Sequence, residues 1–174
     1  MHITKGKTIA QCISDRTEYA MNPNKTNHGE LISSYACDYR TLDSEFALSK
    51  REYRFYTGKD ERNNIIAYQV RQSFKPGEVT PEEAHQIGVE WAEKVFGKKH
   101  MVLCATHTDR GHIHNHFAVC PYDMYGKHWY ANKKSMRMCR AISDEIALAH
   151  GLEIIEHPKK SYCHKYGEYK ARKE

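Results

Sequence analysis

His107-Thr108-Asp109-Arg110-Gly111-His112-Ile113-His114-Asn115-His116 gathers four of the chain's twelve histidines into ten residues. Met101-Val-Leu-Cys-Ala-Thr106 runs before it, apolar and of strand length. After it, residues 112–120 alternate in type, the period of a strand with two chemically different faces. Asp109, Arg110 and Gly111 between them are turn composition. The stretch predicts a β-hairpin that carries His112, His114 and His116 on one strand and His107 on the other. Neutral imidazole is the commonest protein ligand for a transition metal, and three of them leave coordination positions open for a substrate. Solvated surface histidines do not ordinarily cluster at alternating spacing. Paired cysteines of the zinc-finger type are absent, so an open site is favoured over a structural zinc.

Strand geometry selects among the four histidines. On one face, residues i and i+2 stand about 6.6 Å apart and i and i+4 about 13 Å. Ligand nitrogens must all come within about 2.0–2.2 Å of an ion such as zinc. His114 and His116 can lean together, but His112 would have to reach past His114. The third ligand is therefore expected from across the hairpin, at His107. That requires a loop with an even number of residues, unless a bulge intervenes. Pairing 107 with 114 would leave His112 inside the loop.

Outward from the hairpin, 174 residues suit one domain with a core of its own. A hydrophobic content of 40% and charged content of 28% are those of a soluble globular chain. No apolar run approaches a membrane span, and Met1-His-Ile-Thr-Lys5 has no signal-peptide character. A cytoplasmic setting without membrane insertion is expected. The six cysteines (12, 37, 104, 120, 139 and 163) are scattered with no C-x-x-C, and Cys104 and Cys120, inside expected strands, read as reduced core residues. Net charge is +5, but residues 159–174 hold six Lys or Arg against two Glu. That tail supplies +4 and the remainder only +1, so bulk charge says little about the body. The division expected is a domain over 1–158 and a mobile basic tail over 159–174.

In chain order, residues 2–8 suggest a first strand, and Ser14 or Asp15 could cap a short helix over about 15–21. Asn22-Pro23 stops it, close after Tyr19. A short strand follows over Leu31–Cys37, then a helix from Thr41 carrying Leu42, Phe46 and Tyr53. Residues 58–64 are a polar loop. Ile65–Phe74 reads as a strand with Ile66, Tyr68, Val70 and Phe74 on one face and Gln69, Arg71 and Ser73 on the other. Thr80-Pro81-Glu82-Glu83 is a capping box with proline at the first helical position. Ala84, Ile87, Gly88, Trp91, Ala92 and Val95 form its buried stripe, and Gly97 ends it. Residues 122–130 read as a turn and short edge strand. The last helix, about Lys134–His150, is expected to turn Met138, Ile142, Ile146 and Ala149 inward. The fold class expected is α+β: an antiparallel sheet of about five strands, helices on one face and the site on the other.

These segments together resemble the relaxases, the mobilisation nucleases of plasmids and integrative elements. The likeness is to the P-class mobilisation proteins among the tyrosine HUH endonucleases. It rests on Tyr19-Ala-Met-Asn-Pro-Asn-Lys-Thr26, Gln72-Ser-Phe-Lys-Pro-Gly-Glu78, the histidine block through Phe117, and Ser143-Asp-Glu. The resemblance implies a tyrosine that cleaves one strand at a transfer origin and stays joined to the 5′ phosphate. It also implies strand transfer and religation, with accessory relaxosome proteins and a coupling protein of a type IV secretion system as partners.

By position the resemblance makes Tyr19 the nucleophile, Ser73 a residue near the scissile DNA, and His107, His114 and His116 the ligands of one divalent ion. Mn, Mg, Zn, Ni or Co are the candidates. Asp109 is a candidate for fixing a histidine tautomer. Arg71, Lys75 and Lys25 are the candidate contacts to single-stranded DNA, and Tyr125, Trp129 and Tyr130 could stack bases. Relaxases usually continue beyond such a domain, so this chain is expected to correspond to the nuclease part. A phenol, with a pKa near 10, is a poor nucleophile at neutral pH, and a phosphate-bound metal offsets that. Tyr35, Tyr39 and Tyr68 are the alternative nucleophiles. A rolling-circle replication initiator, a non-catalytic metal-structured DNA-binding module and a water-using metal hydrolase are the competing functions.

Overall fold

Alternation along the histidine block does make a hairpin. In a computed structural model that describes residues 2–5, 13–59 and 65–155, β4 (Val102–His107) runs antiparallel to β5 (His114–Val119). His107 is opposite His114, so the loop is 108–113. Its even length sets His107, His114 and His116 on one face and leaves His112 in the loop.

Three more strands complete an antiparallel sheet in the order β1-β3-β5-β4-β2. They are β1 (His2–Lys5), β2 (Ile32–Tyr35) and β3 (Tyr68–Ser73). β3 pairs with β5 so that Arg71 faces His116 and Ser73 faces His114. Of the expected first strand over residues 2–8, residues 2–5 form β1; its remainder and residues 60–64 lie outside the described residues, as does the basic tail.

One face is covered by α3 (Pro81–Phe96) and α4 (Lys133–Ala149). Thr80 and Glu83 form the reciprocal capping box, with Pro81 at the first turn. The buried stripe is Ala84, Ile87, Gly88, Trp91, Ala92 and Phe96. Trp91 stacks on Phe117 at 4.6 Å between centroids and donates its indole N–H to the Cys139 carbonyl at 3.0 Å. The indole is thereby buried without an unpaired donor.

The inward face of α4 is Met136, Cys139, Ser143, Ile146 and Ala147. Met138 and Ala149, expected to point inward, are exposed. Small Cys139 and Ser143 share the inward face with Met136 and Ile146, and the Cys139 backbone meets Trp91 of α3. Residues 122–130 form no edge strand, only an isolated bridge between Tyr122 and His128.

The opposite face is divided. Over part of it α1 (Ser14–Ala20) and α2 (Leu42–Thr57) build a second core. Ile13, Leu42, Phe46 and Tyr53 pack there with Ala67, Leu103, Ala118, Cys120 and Tyr122. The histidine end of that face has the C-terminus of α1 at its border.

Candidate active site

The three histidines converge from two strands. Their ring centroids are 4.3 Å (107–116), 5.0 Å (114–116) and 5.1 Å (107–114) apart. One nitrogen from each lies within 4.8 Å of the others. Tetrahedral coordination sets ligand nitrogens about 3.4 Å apart, so a modest closing of the rings would seat an ion. His107 Nε2 lies 2.8 Å from the Ala20 carbonyl. A carbonyl only accepts, so Nε2 carries the proton and Nδ1 keeps its lone pair. That buried Nδ1 has no partner, and neither does Nε2 of His116. Buried nitrogens left without partners are unusual, and here they match the donor set of a metal site. His114 Nδ1 makes a long contact of 3.4 Å to the His112 carbonyl, leaving Nε2 for a ligand bond.

Burial keeps these imidazoles neutral. It pushes His107 below the ordinary histidine range, His114 down to about 4 and His116 down to about 3; for His114 and His116, repulsion from neighbouring histidines works in the same direction. At neutral pH the lone pairs are available without displacing a proton.

Tyr19, on the last turn of α1 and 44% exposed, presents its ring edge-on at 5.6 Å from His107 and 6.1 Å from His116. The loop after it is laced down locally. Asn22 accepts at Oδ1 from the Asn24 amide at 2.9 Å, an Asx turn, and its carbonyl accepts from Thr26 Oγ1 at 3.0 Å. The Lys25 carbonyl then accepts from the Thr108 amide at 2.9 Å, tying the loop to the end of β4. This sets Lys25 Nζ 2.6 Å from Asp109 Oδ2 and 3.4 Å from the Tyr19 hydroxyl. Its ammonium also stands 4.5 Å from the centre of the Tyr19 ring. Ion pairing lowers the Asp109 carboxyl and raises the Lys25 ammonium.

Asp109 therefore holds Lys25 rather than an imidazole, and the Ala20 carbonyl sets the His107 tautomer. A backbone acceptor leaves no trace in the sequence, which is why that partner was not legible there. Ser73 and exposed Arg71 flank the triad on β3. Lys75, past the strand end, is exposed and ion-paired with Glu153. Of the alternative tyrosines, Tyr35 is opposite Val102 and Tyr68 opposite Val119, each about 16 Å along its strand pair from the His107–His114 level. Tyr39 packs at the margin of the second core. Trp129 is partly buried and packs edge-on against Phe96 and Tyr68 at the margin of the core, whereas Tyr125 and Tyr130 are exposed.

An antiparallel α+β sheet thus presents three clustered histidines that could hold a metal ion, with a tyrosine and a lysine beside them. The chain belongs to the MobA/VirD2-like relaxase family: residues 19–152 match the model of that family's nuclease domain. It is 40% identical over 128 residues to a protein named rlx from Staphylococcus aureus, covering 73% of this chain and 38% of that one. It is 27% identical to the group II intron-interrupted relaxase LtrB of Lactococcus lactis, covering 79% of this chain and 31% of the relative. The chain thus spans well under half the length of these curated relatives. A solved structure described as "Molecular Basis of Vancomycin Resistance Transfer in Staphylococcus aureus" shares the fold. Its TM-score is 0.57 at 11% identity, over 92% of this chain and 98% of that one. Among the described residues, no helix is long and apolar enough to cross a membrane.

Proposed function

We propose that this relaxase nuclease domain nicks one DNA strand at an origin of transfer through a covalent bond between Tyr19 and the 5′ phosphate, and reseals it by the reverse reaction. The observation that carries the reading is the approach of the Tyr19 ring to two of the three histidines; the alternative tyrosines are elsewhere on the fold. His107, His114 and His116 would hold one divalent ion, which when bound polarises the scissile phosphate and offsets charge in the in-line displacement. Three neutral imidazoles favour Mn, Co, Ni or Zn over Mg.

Tyr19 Oη attacks phosphorus and forms the new P–O bond as the P–O3′ bond breaks. The phenolic proton leaves to solvent, and the O3′ of the upstream strand takes a proton from solvent as it departs, leaving a 3′ hydroxyl. Lys25, clamped by Asp109, offers its ammonium to the phenolic oxygen, where negative charge gathers before attack and again when that oxygen leaves during resealing. The phosphotyrosine keeps a usable leaving group, so resealing needs no nucleotide. Arg71 and Lys75 are suited to DNA phosphates; the Lys75 pair with Glu153 is solvent-exposed and readily exchanged for a phosphate. In this reading single-stranded origin DNA is the substrate, and relaxosome and coupling proteins are the partners.

The test is incubation with Mn and a single-stranded origin oligonucleotide, followed by mass mapping of the attached residue. An adduct at Tyr19 supports the reading. Cleavage without an adduct makes the domain a hydrolase, and attachment elsewhere displaces Tyr19.

A further inference from the structure

Directly behind the histidine triad, on the helix-covered face of the sheet, five polar side chains form one hydrogen-bonded chain across four strands and α3. Ser33 Oγ lies 2.7 Å from His85 Nε2, and His85 Nδ1 lies 2.8 Å from Thr106 Oγ1. Thr106 Oγ1 donates to Asn115 Oδ1 at 2.6 Å. Asn115 Nδ2 donates to Gln72 Oε1 and to the Ala84 carbonyl, both at 2.7 Å. Thr106, Asn115 and Gln72 are fully buried.

The directions follow from the ends. The Ala84 carbonyl only accepts, which fixes the Asn115 amide with Nδ2 towards it. Oδ1 then takes the threonine proton, so Thr106 Oγ1 accepts from His85 Nδ1–H. His85 Nε2 is left to accept from Ser33. The chain is polarised from β2 to β3 with each of these steps satisfied. Gly88 makes it possible: a Cβ there would come within 2.4 Å of Asn115 Nδ2 and 3.0 Å of Cys104 Sγ. Only a helix without a side chain at that point lets the amide reach the backbone of α3.

Placement gives the chain its meaning. Thr106 precedes His107, Asn115 separates His114 from His116, and Gln72 separates Arg71 from Ser73. Each strand that brings a site residue to the open face is gripped by the adjacent residue on the covered face. A one-residue slip of either strand would turn its histidines to the covered face. We propose that Ser33, His85, Thr106, Asn115 and Gln72 are a positioning network that holds β3, β4 and β5 in the register and spacing the histidine triad requires. The proposal rests on the metal reading above for its purpose, and it concerns residues that touch neither metal nor DNA.

The test uses the full chain and cobalt(II) as the probe ion. Thr106→Val keeps the shape of the side chain and breaks the network at its centre, Thr106→Ser restores the hydroxyl, and His85→Phe breaks it at its half-buried end. Ile146→Val on α4 serves as a destabilised control whose urea midpoint can be compared. Cobalt affinity by calorimetry is expected to fall about tenfold in Thr106→Val, with a shift in the cobalt ligand-field spectrum. His85→Phe should show a smaller loss of the same kind, while Thr106→Ser and Ile146→Val keep the parent's affinity and spectrum.

Parent-like affinity and spectrum in both network variants would overturn the proposal. So would an equal loss in Ile146→Val, which would make the effect one of general stability. A parent that does not bind cobalt removes the metal reading separately. The network is then judged in metal-free protein by the imidazole resonances of His107, His114 and His116. They should move in Thr106→Val and not in Thr106→Ser; if unmoved in both, the network proposal is wrong.

Discussion

Acidifying the metal-free protein tests the burial of the triad in a single measurement. His114 and His116 are held down to about 4 and about 3, whereas an unfolded chain returns each to about 6.5. The unfolded state therefore binds more protons than the folded state once the pH drops below about 6.5. Their contribution is fully present above that value and is lost as pH falls towards the folded values. Between pH 7 and pH 5 each histidine should cost about 1.9 kcal/mol, since both folded values lie below 5 and the unfolded value sets the size of the loss. Together that is about 4 kcal/mol, a large share of the roughly 5–15 kcal/mol that stabilises a domain. His85, His100 and His107 are also lowered by burial and act in the same sense. Urea unfolding in the presence of a chelator at the two pH values measures the difference. A His114→Asn/His116→Asn double variant should recover about 4 kcal/mol of the decline. If parent and double variant decline equally, the two rings are not held neutral by burial and the argument fails.

Tyr19→Phe should abolish the covalent adduct while oligonucleotide affinity stays within a few-fold. The hydroxyl has only a 3.4 Å contact to an already paired lysine, so stability should change by less than about 0.5 kcal/mol; an undiminished adduct would move the nucleophile elsewhere. His107→Ala, His114→Ala and His116→Ala should each lose most metal affinity and nicking, and His112→Ala should keep much of both. The reverse pattern for 107 and 112, read by calorimetry and nicking, would refute the ligand set. Gly88→Ala should destabilise by about 1–3 kcal/mol, because its Cβ would overlap the Asn115 amide; an unchanged urea midpoint would show that the amide can swing aside freely. Removing residues 159–174 takes away most of the chain's net positive charge and should weaken oligonucleotide affinity and flatten its salt dependence. An unchanged salt slope makes the tail a bystander.

Local codes decided much of this molecule in advance. Period-2 alternation with a turn at Asp109-Arg110-Gly111 was enough to make the hairpin. The incompatible reach of His112 and His116 then assigned His107 as the third member of the histidine cluster. Thr80-Pro81 and Gly97 bounded α3 because capping is chemistry between near neighbours. These are contacts a few residues long, or consequences of strand parity, so they are written in the order of the chain. The inward side of α4 was readable only in part: Ile146 is buried and Ile142 packs beside it as expected, but Cys139 and Ser143 also face the core and Met138 faces solvent despite its apolarity.

What required tertiary structure joins residues far apart or involves the backbone. The Ala20 carbonyl on His107, Lys25 between Asp109 and Tyr19, and α3 opened by Gly88 to receive Asn115 are of this kind. Asn115 did leave a signal: a polar residue between two histidines on a period-2 strand must face the covered side, where it needs partners. The sequence alone determined which face and which histidines. Only folding decided what stands behind them and beside them, because a hydrogen bond between residues dozens of positions apart depends on how helices dock on the sheet, and no local pattern encodes that docking.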